Sequence, residues 1–294
     1  MFRSGLPVQS PTEAAAPAVD GRPLIVPAPK ITPLPVTDVV AAARSVRHRL
    51  RAASLHLALS ALAGIVVLAL VLLAWYPEPM TRLHSVRPIV VIMVAVDVFI
   101  GPLLTFLLFD PRKSRLALDL AAVVTLQLLA LFYGLHAVHQ GRPAFVVLVE
   151  DRFEVVSPAE LKPDIRARAR SNPEALVDPL SPRWVAMRLP AAQSDREALV
   201  LDGLEKGQDL QHHAERYIPL LDAAGTATAA ALPIARLRAL NPSRSAEIDA
   251  ALERAGLDEE AVRYLPLRGP ARDGAVLLSA RDATVLEVLV LRPW

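Results

Sequence analysis

LHLALSALAGIVVLALVLLAW (Leu55–Trp75), IVVIMVAVDVFIGPLLTFLL (Ile89–Leu108) and LALDLAAVVTLQLLALFYGLHAV (Leu116–Val138) decide the fold of this chain. Each run is long enough to cross the hydrocarbon core of a bilayer, which takes about 20 helical residues. The first run carries no formal charge, the second only Asp97, near its middle, and the third only Asp119, near its start. Three such segments in succession suit lipid, where a helix satisfies its own backbone hydrogen bonds. The sequence predicts an α-helical membrane part of three transmembrane helices, then a small α+β domain with a C-terminal antiparallel hairpin. Expected boundaries are residues 1–43 for a Pro/Ala-rich extension, 44–140 for the membrane part and 141–294 for the domain.

Charge sets the expected orientation. Residues 1–140 hold 12 Lys/Arg against 7 Asp/Glu, and residues 141–294 hold 20 against 23. Arg44, Arg47, Arg49 and Arg51 precede the first run, and Arg112, Lys113 and Arg115 lie between the second and third. Only Arg82, Arg87 and Arg142 lie at the opposite ends. Positive residues stay on the cytoplasmic side, so the N-terminus and the Asp110–Arg115 turn are expected there and the domain across the membrane, in a periplasm. Trp75-Tyr76 suits the headgroup level, and Pro77 ends the helix. The extension lacks the pattern of a signal peptide and has too little apolar content to order itself. The first run is therefore expected to serve as an uncleaved export signal.

Several function classes lose ground on composition. The chain has no cysteine, which removes disulfides and thiolate metal sites. The domain half has no basic stripe for nucleic acid. No nucleophile elbow frames a serine and no phosphate-binding glycine pattern occurs, so no enzyme, no cofactor and no metal is expected. His84, His136 and His139 are the one His set that proximity brings to mind, without a completing ligand. His212-His213 reads as a surface feature, and Asp258-Glu259-Glu260 as a solvated helix start.

In the soluble half, Ala144–Glu150 reads as a strand that Phe153–Val156 continues or pairs with. Trp184–Leu189 is a further strand candidate. Ser194–Glu205 and Ser245–Ala255 read as helices, the latter with Ser245 as N-cap. Lys162–Pro182 reads as irregular. Gly274–Ser279 and Thr284–Leu291 flank a turn at Arg281-Asp282, and Arg263–Leu267 adds a third strand. The hairpin is expected to bury Val276, Leu278, Leu286, Val288 and Val290.

Asp97 is the sharpest single residue. A carboxylate at mid-bilayer depth must face protein and find a partner or a proton. At ~1.5 Å per residue, Asp97 and Gln127 lie at similar depth, so a bond between them is feasible. Contact with a partner helix is the functional alternative, and proton transfer a third. Gly101-Pro102 would kink the second span and free a carbonyl near Val98, with Thr105 placed to compensate. Such a kink opens a groove or merely fits neighbouring helices together. Ser60 and Gly64 would allow close approach from the first span.

The stretches HLALSALAGIVVLALVLLAWYPEPM and AVDVFIGPLLTFLLFDPRKSRLALDLAAVVTLQLLALFYGLHAVHQGRPAFVVLVEDRFEVV, with the ending PLRGPARDGAVLLSARDATVLEVLVLRPW, resemble the TfpX/TfpZ family of type IV pilin accessory proteins. The motifs WYP, D-x-x-x-G-P-L-L-T, Y-G-L and GRP-x-F carry the likeness over about residues 56–161 and again over about 263–294, and residues 1–48 read as an extension outside the family pattern. The resemblance implies a multi-pass protein of the bacterial inner membrane, encoded with type IV pilins, that assists their assembly or surface display without an agreed catalytic activity. It also implies a pilin subunit as partner, for which the reading of the spans above offers Asp97, Gly101, Pro102, Thr105 and Gln127 as candidate contact residues. A membrane-anchored periplasmic ligand-binding or regulatory protein is the competing reading, though only a tail and a short turn would be left for cytoplasmic output.

Overall fold

Lipid-compatible sequence produces the expected helices. The computed structural model describes residues 36–294, so the Pro/Ala-rich extension read as unstructured lies, over residues 1–35, outside the described residues. Helix α1 spans Val36–Ala69 and ends in a π-helical turn, Leu70–Trp75, which lets the Tyr76 N–H reach the carbonyl of Val71 at 2.8 Å. A short helix α2, Met80–His84, precedes α3, Arg87–Leu108, and α4, Leu116–Gln140. Among the described residues three helices, ending at Trp75, Leu108 and Gln140, are long and apolar enough to cross a membrane. Asp119, near the start of the third run, is paired with Lys113 at 3.6 Å, so it is not a buried charge.

Only four residues separate α4 from the sheet. Pro143 cannot extend the helix, and buried Arg142 turns back so that its Nη1 donates to the His139 carbonyl at 2.8 Å, satisfying one of the helix's last acceptors. Strand β1, Phe145–Val149, follows at once. Its FVVLV run has no polar residue because both of its faces are covered. It pairs antiparallel with β2, Arg152–Val156, and parallel with β3, Arg183–Met187. Between these two lie α5, Pro163–Arg168, and three 3-10 turns, so the stretch read as irregular, Lys162–Pro182, holds one short helix.

Helix α6, Gln193–Lys206, leads to the edge strand β4, Tyr217–Pro219. Helix α7 is Ala224–Ala230, β5 is Leu232–Pro233, α8 is Ile234–Leu240 and α9 is Ser245–Ala255. Ser245 is the first helical residue and not the cap expected: Arg244 holds the cap position, with no side-chain hydrogen bond there. The chain ends in β6, Val262–Arg268, β7, Gly274–Ser279, and β8, Val285–Leu289. Among the described residues these make one eight-stranded sheet ordered β4-β3-β1-β2-β6-β7-β8, with β5 beside β6. The two halves join through the parallel pair β2–β6, where Phe153 faces Leu267. The predicted hairpin is present, with Asp282 accepting the Thr284 N–H at 3.1 Å in its turn. Both of its faces are covered, however. Val276, Leu278 and Val290 pack on one side, whereas Ala275 and Leu277 are buried under α8 and α9 on the other.

The loop between the first two spans is part of the domain's core. Met80 and Leu83 of α2 belong to the same apolar cluster as Leu148, Phe153, Leu265 and Val276. Leu83 is 0% exposed. Its carbonyl accepts from the backbone N–H groups of Ala271 at 3.0 Å and Arg272 at 3.1 Å. A β-carbon on Gly274 would meet the Leu289 carbonyl at 2.8 Å and the Leu83 side chain at 3.3 Å, so glycine at 274 lets the plug seat.

Replacing Leu83 by Ala therefore empties a filled site in the domain. The expected cost is about 2–5 kcal/mol, read as a lower denaturation midpoint of the full chain in detergent. An unchanged midpoint would place Leu83 outside the core.

Candidate functional site

At the end nearest the domain the spans are closed by Val67, Val71, Tyr76, Val86, Val90 and Val138. Tyr76, expected at a headgroup boundary, is buried there: its hydroxyl donates to the Val138 carbonyl at 2.9 Å and its ring stands edge-on to His84 at 5.2 Å. Burial pushes the Tyr76 phenol up to about 12, so it stays a donor. Trp75 stands edge-on to His139 at 4.7 Å. These histidines thus serve in aromatic contacts, and among the described residues no three His, Asp or Glu converge as a metal set.

Farther from the domain a hollow of about 230 Å³ opens between the spans, lined from all three helices, with His56, Ser60 and Gly64 on the first, Asp97 on the second, and Gln127 and Leu131 on the third. Its wall is almost wholly apolar. Gly64 marks the contact of the first two spans, since a β-carbon there would stand 2.6 Å from Val94.

Gln127 does reach Asp97, but at the backbone. Its Nε2 donates to the Asp97 carbonyl at 3.1 Å, leaving the carboxylate without a hydrogen-bond or ion-pair partner among the described residues. Pro102 has no N–H to offer the Val98 carbonyl, but the amide bonds one residue earlier, so the space left by Gly101 and not the proline's missing donor sets the contact. Glycine at 101 gives the amide room, because a β-carbon there would lie 2.0 Å from Gln127 Nε2. Both Gly101 and Pro102 are buried in this contact and neither lines the hollow. Thr105 does not return to its own helix backbone. Its hydroxyl meets His56 Nδ1 at 2.6 Å, tying the second span to the first. The sequence reading did not single out His56, although a lone polar residue in an otherwise apolar run was the available signal. Gln127 Oε1 is buried without a partner. The Asp97 carboxylate is thus the unsatisfied acceptor among the residues lining the hollow, whereas the Gln127 oxygen is enclosed against Gly101.

The domain holds a second polar cluster. His213, expected at the surface, is buried beneath the sheet, with Nδ1 3.3 Å from Glu215, while His212 lies 4.0 Å from Glu160. A 3-10 turn, Leu210–His212, folds this segment inward. Burial opposes ionisation of Glu215, but hydrogen bonds from His213 and the backbone and the nearby Arg168 outweigh it, drawing its pKa down to about 2. Glu215 is held through Oε1 by His213 and by Arg168 at 3.2 Å, whereas Glu215 Oε2, His213 Nε2 and His212 Nδ1 are buried without hydrogen-bond partners. Glu259 likewise pairs with Arg238 at 2.9 Å.

The Gly101–Gln127 contact makes a test of the bundle. Gly101→Ala displaces the amide and Gln127→Leu removes it, so each is expected to cost about 0.5–2 kcal/mol of bundle stability. The double variant should cost little more than the worse single one, because both remove one bond. Full additivity in thermal melts would show that the bond does not exist.

Comparison with known proteins adds an independent line. Residues 44–84, from the first span through the α2 plug, match the family model of the fimbrial assembly protein FimB. The chain is 27% identical over 220 residues to a Dichelobacter nodosus protein described as fimbrial assembly protein, serogroup I, a match spanning 72% of this chain and 83% of the relative. The serogroup E1 protein of the same organism is 26% identical over the same shares of each chain. The protein of serogroups C1 and C2 is 28% identical over 109 residues, which cover 36% of this chain and 83% of that one. No solved structure matches. The chain is thus similar, at a distance, to fimbrial assembly proteins.

Proposed function

We propose that this is an inner-membrane accessory protein of type IV pilus assembly, chaperone-like and without a catalytic step, that receives the apolar helix of a pilin subunit among its own spans. One observation carries the reading: the wall of the hollow between the three helices is almost wholly apolar yet includes Asp97, whose carboxylate has no partner among the described residues. A carboxylate at this depth is costly until a donor or cation reaches it, so a helix bringing one would be held both by its apolar surface and by that group. Similarity to fimbrial assembly proteins supports the partner class. The resemblance to the TfpX/TfpZ accessory family narrows it to type IV pilins. In this reading the Asp110–Arg115 turn faces the cytoplasm and the domain beyond Gly141 the periplasm, following the positive-residue bias.

The geometry separates a partner role for Asp97 from a structural one, because Gln127 holds the backbone and not the carboxylate. Asp97→Leu should leave the protein at its normal level in the membrane yet abolish pilin crosslinking and surface piliation. Gln127→Leu should lower bundle stability but keep crosslinking wherever the protein persists. Loss of the protein itself in Asp97→Leu would make the residue structural, and normal piliation after deletion of the gene would end the accessory reading. For orientation, alkaline phosphatase fused after Glu150 should be active and fused after Arg112 inactive. The reverse pattern would invert the topology.

A further inference from the structure

Leu176-Val177-Asp178-Pro179-Leu180 is irregular in path but firmly braced. Asp178 Oδ1 accepts from the backbone N–H groups of Leu180 at 2.7 Å and Ser181 at 3.1 Å. Arg183 Nη1 donates to the carbonyls of Pro173 at 2.5 Å and Leu176 at 3.3 Å. Arg142 Nη2 donates to the Asp178 carbonyl at 3.0 Å. These are mostly charge-assisted bonds, the stronger kind, and they hold the loop with its apolar side chains outward. Leu176, Val177 and Leu180 are 60%, 40% and 55% exposed. Single exposed aliphatic residues need no explanation, but three within five residues on a fixed loop form a patch that something covers.

Position says what covers it. The guanidinium that holds Asp178 also holds the His139 carbonyl, in the last turn of the third span. Leu176 and Val177 share a hollow of about 330 Å³ with His139 and Gln140 of that turn. The loop therefore sits beside the point where a membrane-crossing helix leaves the hydrocarbon. Exposed Phe132 and Tyr133 lie about 10 Å back along the same helix, so the apolar surface that faces lipid continues toward the loop.

We propose that this loop is an interfacial membrane anchor, in which Leu176, Val177 and Leu180 enter the headgroup–acyl boundary of the leaflet next to the domain. The ligand is the lipid bilayer itself, which the spans bring to the loop whether or not any protein partner is present. The anchor rests neither on the pilus reading nor on which side of the membrane the domain occupies. Apolar side chains beside a span lower the free energy of the assembly by leaving water, as interfacial segments do, and here they fix the domain's tilt.

The chain lacks cysteine, so a single introduced thiol labels one site. Nitroxide-labelled Leu176→Cys, Leu180→Cys and Asp151→Cys would be measured in the full chain, one copy per phosphatidylcholine/phosphatidylglycerol nanodisc. Asp151, in the β1–β2 turn at the far end of β1 from the membrane, has a side chain 70% exposed and serves as the aqueous reference. Labels at 176 and 180 should collide with oxygen several-fold more often than with a water-soluble nickel chelate, and the label at 151 should show the reverse. Nickel-accessible labels at 176 and 180 would put the loop in water and overturn the proposal. Labels shielded from both agents, or spin–spin broadening between copies, would mean that protein covers the patch, and would overturn it equally.

Discussion

The carbonyl of Leu83, with two backbone N–H groups of the β6–β7 connection upon it, ties the membrane part to the sheet. A loop between two spans would otherwise be free to move over the bilayer surface. Here it is a core element, with Met80 and Leu83 filling space that the sheet leaves open. The constraint reaches both ways. Arg87 begins the second span four residues after Leu83, so the seat of the plug fixes where α3 enters the membrane. Arg142 does the same for the third span, joining its last turn to the loop before β3. The domain is thereby held at two separate points and cannot swing as a tethered head would.

That rigidity matters for the hollow between the spans. The helices meet at the domain end through small branched side chains and Tyr76, and again farther on at Gly64–Val94, Gly101–Gln127 and His56–Thr105. A gap held open by such a frame presents the Asp97 carboxylate in a constant geometry, whereas loosely tethered helices would close over it. Gln127 illustrates the economy of the arrangement. One amide nitrogen joins the third span to the backbone of the second beside Pro102, in the space that Gly101 leaves.

The spans were legible because lipid imposes a single demand, apolarity over a fixed length, that a linear sequence displays directly. Strand β1 was legible for a related reason: burial on both faces removes alternation and leaves an unbroken Phe/Val/Leu run. The closing hairpin was legible from its turn residues, but not its full burial: α9 was readable as a helix, whereas which sheet face it and α8 cover is set by packing. Helix α2 was hidden because MTRLH is short, and its role depends on residues about 190 positions later. The Asp97–Gln127 pairing was visible as two polar residues at one depth. That the carbonyl and not the carboxylate is the acceptor depends on the space left by Gly101, which only packing reveals. Ser245 misled because a serine before an apolar period signals a cap, yet the helix already includes it. His213 misled because an adjacent histidine pair offers no sign of which ring turns inward.

The plug also sets an order of events. Met80 and Leu83 are synthesised long before Leu265, Ala271 and Val276, the residues they pack against or bond to. Contacts so distant along the chain form late and carry a large loop-closure cost. The spans can insert as they are made, but the domain's core stays incomplete until its closing strands are present, with Met80 and Leu83 of α2 waiting for them. The last strands of the sheet therefore complete the core around these two side chains, and a chain stopped before β6 would leave both uncovered.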